Sequence, residues 1–379
     1  EVLIIDPVVR LWGTYYGGTL SDYGESCATD ASGNVYLAGR TSSTTGIATT
    51  GAHQTTYGGG SSDAFLVKFN SSGVRLWGTY YGGTVEDFGA SCATDASGNV
   101  YLAGYTSSTT GIATTGAHQT SNGGGSRDAF LVKFNSSGVR QWGTYYGGTA
   151  YDDGRSCATD TSGNVYLSGQ TGSTTGIATT GAHQTTNGGG SEDAFLVKFN
   201  SSGVRQWGTY YGGTTYDDGR SCATDTSGNV YLSGQTGSTS GIATTGAHQT
   251  TYGGGTYDAF LVKFNSSGVR QWGTYYGGTW SDYAYSCATD ASGNVYLVGW
   301  TTSTSGIATT GAHQTLNGGE LYDAFLVKFN SSGVRQWGTY YGGTGRDDGS
   351  SCATDASGNV YLAGRTKSTT AIATTGAHQ

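Results

Sequence analysis

The 379-residue chain contains one proline and no methionine, and only 12% of its residues are charged. No stretch approaches the roughly 18 consecutive apolar residues that a membrane-crossing helix requires, so no membrane span is expected. The 18 lysines and arginines nowhere cluster, and the formal net charge is −8. Phosphate backbones are held by dense positive charge, which makes nucleic acid an unsuitable partner. Helix signals are missing as well: there is no apolar 3.6-residue spacing, no capping pattern, and glycine or β-branched residues run throughout. The six cysteines lack the CxxC-type spacing of zinc sites and no EF-hand-like loop is present, so neither a metal nor any other cofactor is expected. No signal peptide opens the sequence, and with no methionine present Glu1 is expected to be a processed or chosen start.

What the chain has in quantity is glycine, 68 residues, together with 28 Tyr, 11 Phe and 8 Trp. Disordered chains lack such aromatic bulk, whereas glycine, threonine and aromatics suit short strands joined by tight turns. Trp12, Trp77, Trp142, Trp207, Trp272 and Trp337 lie 65 residues apart, as do Cys27, Cys92, Cys157, Cys222, Cys287 and Cys352. A fixed period of this kind means stacked or radial repeats. Each unit holds four strand candidates, read here from "SCATDA" (26–31), "VYLAGRT" (35–41), "DAFLVKFN" (63–70) and "VRLWGTYYG" (74–82). The "VYLA" and "AFLV" runs are apolar on both faces, as in a sheet covered on both sides. Four short strands per unit, repeated and sandwiched, describe β-propeller blades.

The chain ends suggest how the ring shuts. The first copy lacks its cysteine strand pair and opens with "EVLIIDPVVRLWGTYYGG", while the last stops at Gln379 before any "DAFLVKFN". The expectation is one domain, residues 1–379, folded as an all-β, six-bladed β-propeller with four strands per blade. Two N-terminal strands would complete the last blade as a 2+2 clasp. An open arc, or an end-to-end polymer in which each clasp enters the next molecule, satisfies the same pairing; an intramolecular partner has the higher effective concentration.

The pieces "DASGNVYLAG", "TTGAHQTT", "GGGSSDAFLVKFNSSG" and "GTYYGG", which together cover essentially the whole chain, resemble the SBBP β-propeller repeat family of bacterial surface and secreted proteins. The resemblance implies an extracellular or cell-surface location and carries no known chemistry. The family name presumes seven blades, whereas the strand count here gives six.

With the cysteine strand innermost, the tight turns "DASGN" and "NSSG" share one face of the disc and the long connections share the other. Differences among copies gather on the long-loop face: before the cysteine strand, at the end of the second strand, and before the third. Loops on a rigid scaffold are where binding residues usually sit. The copy entered through "GGTWSDYAYSCATD" diverges most, and toward aromatics. Trp280, Tyr283, Tyr285, Trp300, Leu321 and Tyr322 are expected around one sector, with Tyr257 next door. Such platforms suit stacking on sugar rings or anchoring a protein; the competing reading is drift at solvent-exposed loop positions.

Other recurring residues read as structural. The cysteines are expected as small buried residues between blades, and the "GAHQ" histidines as hydrogen-bonding loop staples. Asp30 is expected in an Asx turn, Asp63 on loop amides, and the Asp22 series in the variable loops, where hydrogen-bonded aspartates are expected over a calcium site. "NSS" at Asn70 and its equivalents matches a glycosylation sequon but also a hairpin turn. No asymmetric catalytic constellation is visible, and the pair Glu320 with Asp323 is too slight a signal, so no enzyme is expected. The function expected is an extracellular or cell-surface binding and adhesion module for a glycan or surface protein. The alternative is a self-assembling subunit of a fibre or layer; a propeller hydrolase ranks last.

Overall fold

The computed structural model describes residues 11–319 and 321–374. They form five four-stranded antiparallel sheets and one two-stranded sheet, with no helix among the described residues. In the first sheet the strands are Asp22–Thr29, Val35–Thr41, Asp63–Phe69 and Arg75–Tyr81, paired in chain order. The next four sheets repeat this pattern, and the last comprises only Asp347–Thr354 and Val360–Thr366. The hairpin turns form as their residues dictate. Asp30 Oδ1 accepts the amides of Ser32 and Asn34, each at 3.0 Å, and Asn70 Oδ1 accepts those of Ser72 and Val74.

The first strand starts at Asp22, four residues before "SCATDA", and has a bulge between Gly24 and Ser26. Its early part is Asp, Tyr and Gly with no apolar alternation, so periodicity does not reveal it. Asp22 pins the strand instead, accepting from the Gly18 amide, from Ser43 and, at very short range, from Thr41.

First strands of successive sheets lie side by side, which makes them the innermost. Cys92 donates its amide to Ser26 Oγ of the preceding sheet at 3.2 Å, and Thr94 Oγ1 donates to the Thr29 carbonyl at 2.7 Å. Cys92, Cys157, Cys222 and Cys287 are buried there and form no disulfide, as small residues between sheets. Further out, each sheet locks onto the next through aromatics. Tyr146, fully buried, donates to the Ile177 carbonyl at 2.7 Å, and Trp142 Nε1 donates to the Ser201 carbonyl at 3.1 Å. Both rings pack on Phe199. His118 joins them by ring packing, edge-on to Phe199 at 5.7 Å, rather than by the expected hydrogen bond. Its half-buried ring has no anion beside it, and burial pushes its pKa down to about 4.

The last two-stranded sheet packs on the fifth, and among the described residues no strand pairing joins it to the first. Cys27 is exposed where its internal equivalents are buried, and Tyr361 is 58% exposed where Tyr101 and Tyr166 are covered. Of the expected clasp, residues 1–10 lie outside the described residues, and residues 11–18 form no strand. Trp12 and Tyr16 instead rest on Phe65 and Phe69, and Tyr16 donates to the Ile47 carbonyl, which is how each fourth strand meets the sheet after it.

Gly203 and Gly181 separate packing from backbone strain. Both have left-handed φ, +80° and +79°, but a Cβ on Gly203 would stand 2.8 Å from the Trp142 ring, while one on Gly181 meets nothing within 4 Å. Urea unfolding is expected to show Gly181→Ala losing about 1–2 kcal/mol and Gly203→Ala about 1–3 kcal/mol more. Equal losses would mean that the indole is not packed on the turn.

Candidate functional site

The three variable places of each repeat meet in space, and across repeats they form one continuous band. Tyr283 lies on the first strand of the fifth sheet directly opposite Trp300 on the second. Their rings stack with centroids 4.0 Å apart. Trp300 also packs on Tyr322 at 4.7 Å and donates Nε1 to the Tyr285 hydroxyl at 3.0 Å. Tyr257 of the preceding repeat meets Tyr283 edge-on at 5.4 Å, and Tyr216 meets Tyr257 at 5.2 Å. Arg220 and Arg346 lie over Tyr285 and Tyr322. Five of the seven expected residues are therefore brought together, each half-buried.

Trp280 and Leu321 are the other two. Trp280 is 60% exposed in its loop, held by its backbone amide to Ser303, and makes no ring contact among the described residues. Leu321 is 47% exposed. Tyr283 and Tyr285, expected in a loop, stand on a strand because that strand begins early.

The expected sector draws on one copy with Tyr257 next door, whereas the band continues through the others. Arg40 lies over Tyr23 and Phe88; Phe88 stacks on Tyr105 at 4.8 Å; Arg127 covers Tyr105. Arg127 then pairs closely with Asp153, which also holds Arg155 at 3.0 Å and accepts from Gln170. Tyr216 donates to Gln170 and to Asp218, and Arg220 pairs with Asp218 at 2.6 Å. Asp153 and Asp218 are fully buried. Burial raises the Asp218 carboxyl above its usual range while Arg220 and Arg155 oppose the shift. Tyr23, Phe88, Asp153 and Asp218 occupy the repeat position of Tyr283, and Arg40, Tyr105 and Gln170 that of Trp300. Arg127 occupies that of Tyr322, and Arg155 and Arg220 that of Tyr285, while Tyr216 stands where the fifth copy has Ser281. Comparing all copies across the variable places is the signal that finds them.

Other expected residues resolve as structure. Asp63 Oδ2 accepts the Gly58 amide at 2.6 Å, as a loop-binding aspartate should. Lys68, unremarked in the sequence, is buried between sheets, where its ammonium meets Asp30 at 3.5 Å, the Ser136 carbonyl and the Tyr36 ring. Glu320 lies outside the described residues. Among the described residues no group of three or more His, Cys, Asp or Glu side chains gathers as a metal site.

Repeated antiparallel four-stranded sheets sharing a row of innermost strands define a repeat protein of β-propeller type. The family model of the SBBP β-propeller repeat matches three regions of the chain, residues 11–46, 271–306 and 336–369. No curated protein matches the chain. Among solved structures, a gluconolactonase from Xanthomonas campestris is similar at 11% identity, covering 92% of this chain and 84% of its own, with a TM-score of 0.39. Peptide-bound YCF48 is similar at 10% identity, covering 94% and 80%, with a TM-score of 0.42.

Asp153 tests the charged stretch of the band. Asp153→Ala strands Arg127 and Arg155 and is expected to lower unfolding free energy by about 3 kcal/mol. A urea midpoint unchanged from wild type would show that the pair is not a buried one.

Proposed function

We propose that the chain is a binding module exported to the cell surface, which engages a glycan or a surface protein through the aromatic stretch Tyr257–Tyr283–Trp300–Tyr322. The observation that carries this reading is that the scaffold does not need those rings. Where the fifth sheet pairs Tyr283 with Trp300, the third pairs Asp153 with Gln170 in the same register. Aromatics collected there, half-exposed and flanked by Arg220 and Arg346, give flat apolar faces with polar edges, which suits sugar rings and protein anchors alike. Trp280 and Leu321 extend that surface toward solvent. The proposal includes no catalysis.

Binding to a panel of glycans and matrix proteins checks it. Tyr283→Ala with Trp300→Ala is expected to weaken the best ligand at least tenfold, roughly 1.4 kcal/mol, and Trp280→Ala to weaken it less. Binding profiles identical to wild type, in variants that remain folded, would overturn the assignment.

A second reading, a subunit of a surface fibre or layer, is favoured by the last sheet. A groove of about 790 Å³ runs there past Leu326, Trp337, Val360, Tyr361 and Leu362. At internal junctions the equivalent surface is covered by the third strand and "NSSG" turn of the following sheet. The finer reading of the fold, six blades with the last completed by N-terminal strands, fills the same groove from within one molecule. It is supported by Trp12 and Tyr16, which lie where a preceding fourth strand would lie. Thiol labelling of the monomer separates the cases, because within a single molecule only closure buries Cys27. Closure predicts Cys27 as unreactive as Cys92 and isolated discs by electron microscopy. Rapid labelling of Cys27 in monomeric protein would contradict it, and extended rods would favour the fibre.

A further inference from the structure

A pair of buried aspartates recurs at every junction between consecutive sheets: Asp63 with Asp87, Asp128 with Asp152, Asp193 with Asp217, Asp258 with Asp282, and Asp323 with Asp347. Apart from Asp347 at 2%, all are fully buried. In the third pair, Asp193 Oδ2 accepts from the Gly188 amide at 2.6 Å and from Gln184 at 3.0 Å. Asp217 Oδ2 accepts from the Gly213 amide and from Ser238, both at 2.8 Å, and Oδ1 accepts closely from Thr236. The remaining oxygen, Asp193 Oδ1, is buried with no hydrogen-bond donor, and so are its four equivalents.

In the third and fifth pairs that free oxygen and an oxygen of the partner carboxylate stand beside the same glycine. A Cβ placed on Gly212 would stand 2.6 Å from Asp217 Oδ2 and 3.0 Å from Asp193 Oδ1. At Gly342 the corresponding distances to Asp347 Oδ2 and Asp323 Oδ1 are 2.7 and 2.8 Å. Both oxygens thus crowd the same glycine, whose missing side chain lets the two carboxylates approach each other. None of the described ion pairs reaches either member of any pair.

Two carboxylates without a counter-charge cannot both stay ionised in a low-dielectric junction. Every hydrogen bond they make is accepted, however, and accepted bonds favour the charged form. A hard cation reconciles the two. We propose that each buried aspartate pair is a calcium site, with one oxygen from each carboxylate facing the ion. Two aspartates fall short of a calcium shell, so neighbouring hydroxyl and water oxygens would supply the remainder. Binding then ties the third strand of one sheet to the first strand of the next.

Without the ion, protons take its place. Burial, then the neighbouring Asp217, pushes the Asp193 carboxyl up to about 7, and burial pushes Asp217 up to about 6. The other titratable groups facing the pair are the Tyr210, Tyr211 and Tyr275 hydroxyls, which stay neutral in this range. A raised folded pKa contributes stability that is complete below the unfolded value near 4 and is lost as pH rises through the folded value. Metal-free protein therefore loses this contribution between about pH 4 and 7.

Chelator-stripped protein at about pH 7.5 is titrated with calcium chloride, using sodium chloride at matched ionic strength as control. Millimolar calcium is expected to raise the melting temperature by about 5 °C or more, with up to five sites by calorimetry. Asp193→Asn with Asp258→Asn is expected to remove two of them. An absent heat and an unmoved melting temperature in wild type would overturn the proposal. So would the double variant binding as many ions as wild type, and if it fails to fold the wild-type titration decides alone.

Discussion

Burial of paired tyrosines between consecutive sheets is the interaction on which the rest of the structure depends. In "GTYYGG" the second tyrosine slides under the following sheet and donates a hydrogen bond to a carbonyl there, as Tyr146 does to Ile177 and Tyr211 to Ile242. The first stays within its own unit, where Tyr145 bonds the Ser108 carbonyl. Fully burying a side chain of this size is worth about 1.5–3 kcal/mol, and the hydrogen bond removes the penalty of taking its hydroxyl out of water. Phenylalanine, tryptophan and histidine rings extend the contact, and the cysteine–serine seam finishes it along the innermost strands.

Because this lock is made by residues that hardly change from copy to copy, the long-loop face is free to vary. Arginine–aspartate pairs fill the band in the second to fourth sheets, and stacked aromatics fill it around the fifth. The backbone register beneath is the same in both. That division between a fixed junction and an exchangeable face is what a binding scaffold requires. The buried aspartates occupy the boundary, on the fixed junction but close to the loops.

Much of this could be read from the residues, for definite reasons. The 65-residue spacing and the hairpin turns come from glycine, aspartate and asparagine chemistry that acts locally. Third strands are apolar on both faces because they are covered on both. The start of the first strand was hidden because Asp22, Tyr23 and Gly24 show no alternation; hydrogen bonds from distant Ser43 and Thr41 put it there. The packing role of the histidines is not legible, because a half-buried imidazole held against Tyr and Phe rings leaves no local mark. The aromatic sector was legible as composition, but its continuation through Arg127, Asp153 and Tyr216 depends on contacts between repeats 65 residues apart.

Alkaline titration of tyrosine absorbance, followed together with circular dichroism, probes the lock most directly. Burial lifts the hydroxyls of Tyr146, Tyr211 and their counterparts far above the ordinary range. Only the exposed minority of the 28 tyrosines should therefore ionise near pH 10 in the folded state. The junction tyrosines should follow in a single step that coincides with loss of the β-sheet signal. Ionisation of all of them together near pH 10, with the sheet signal intact, would contradict the account.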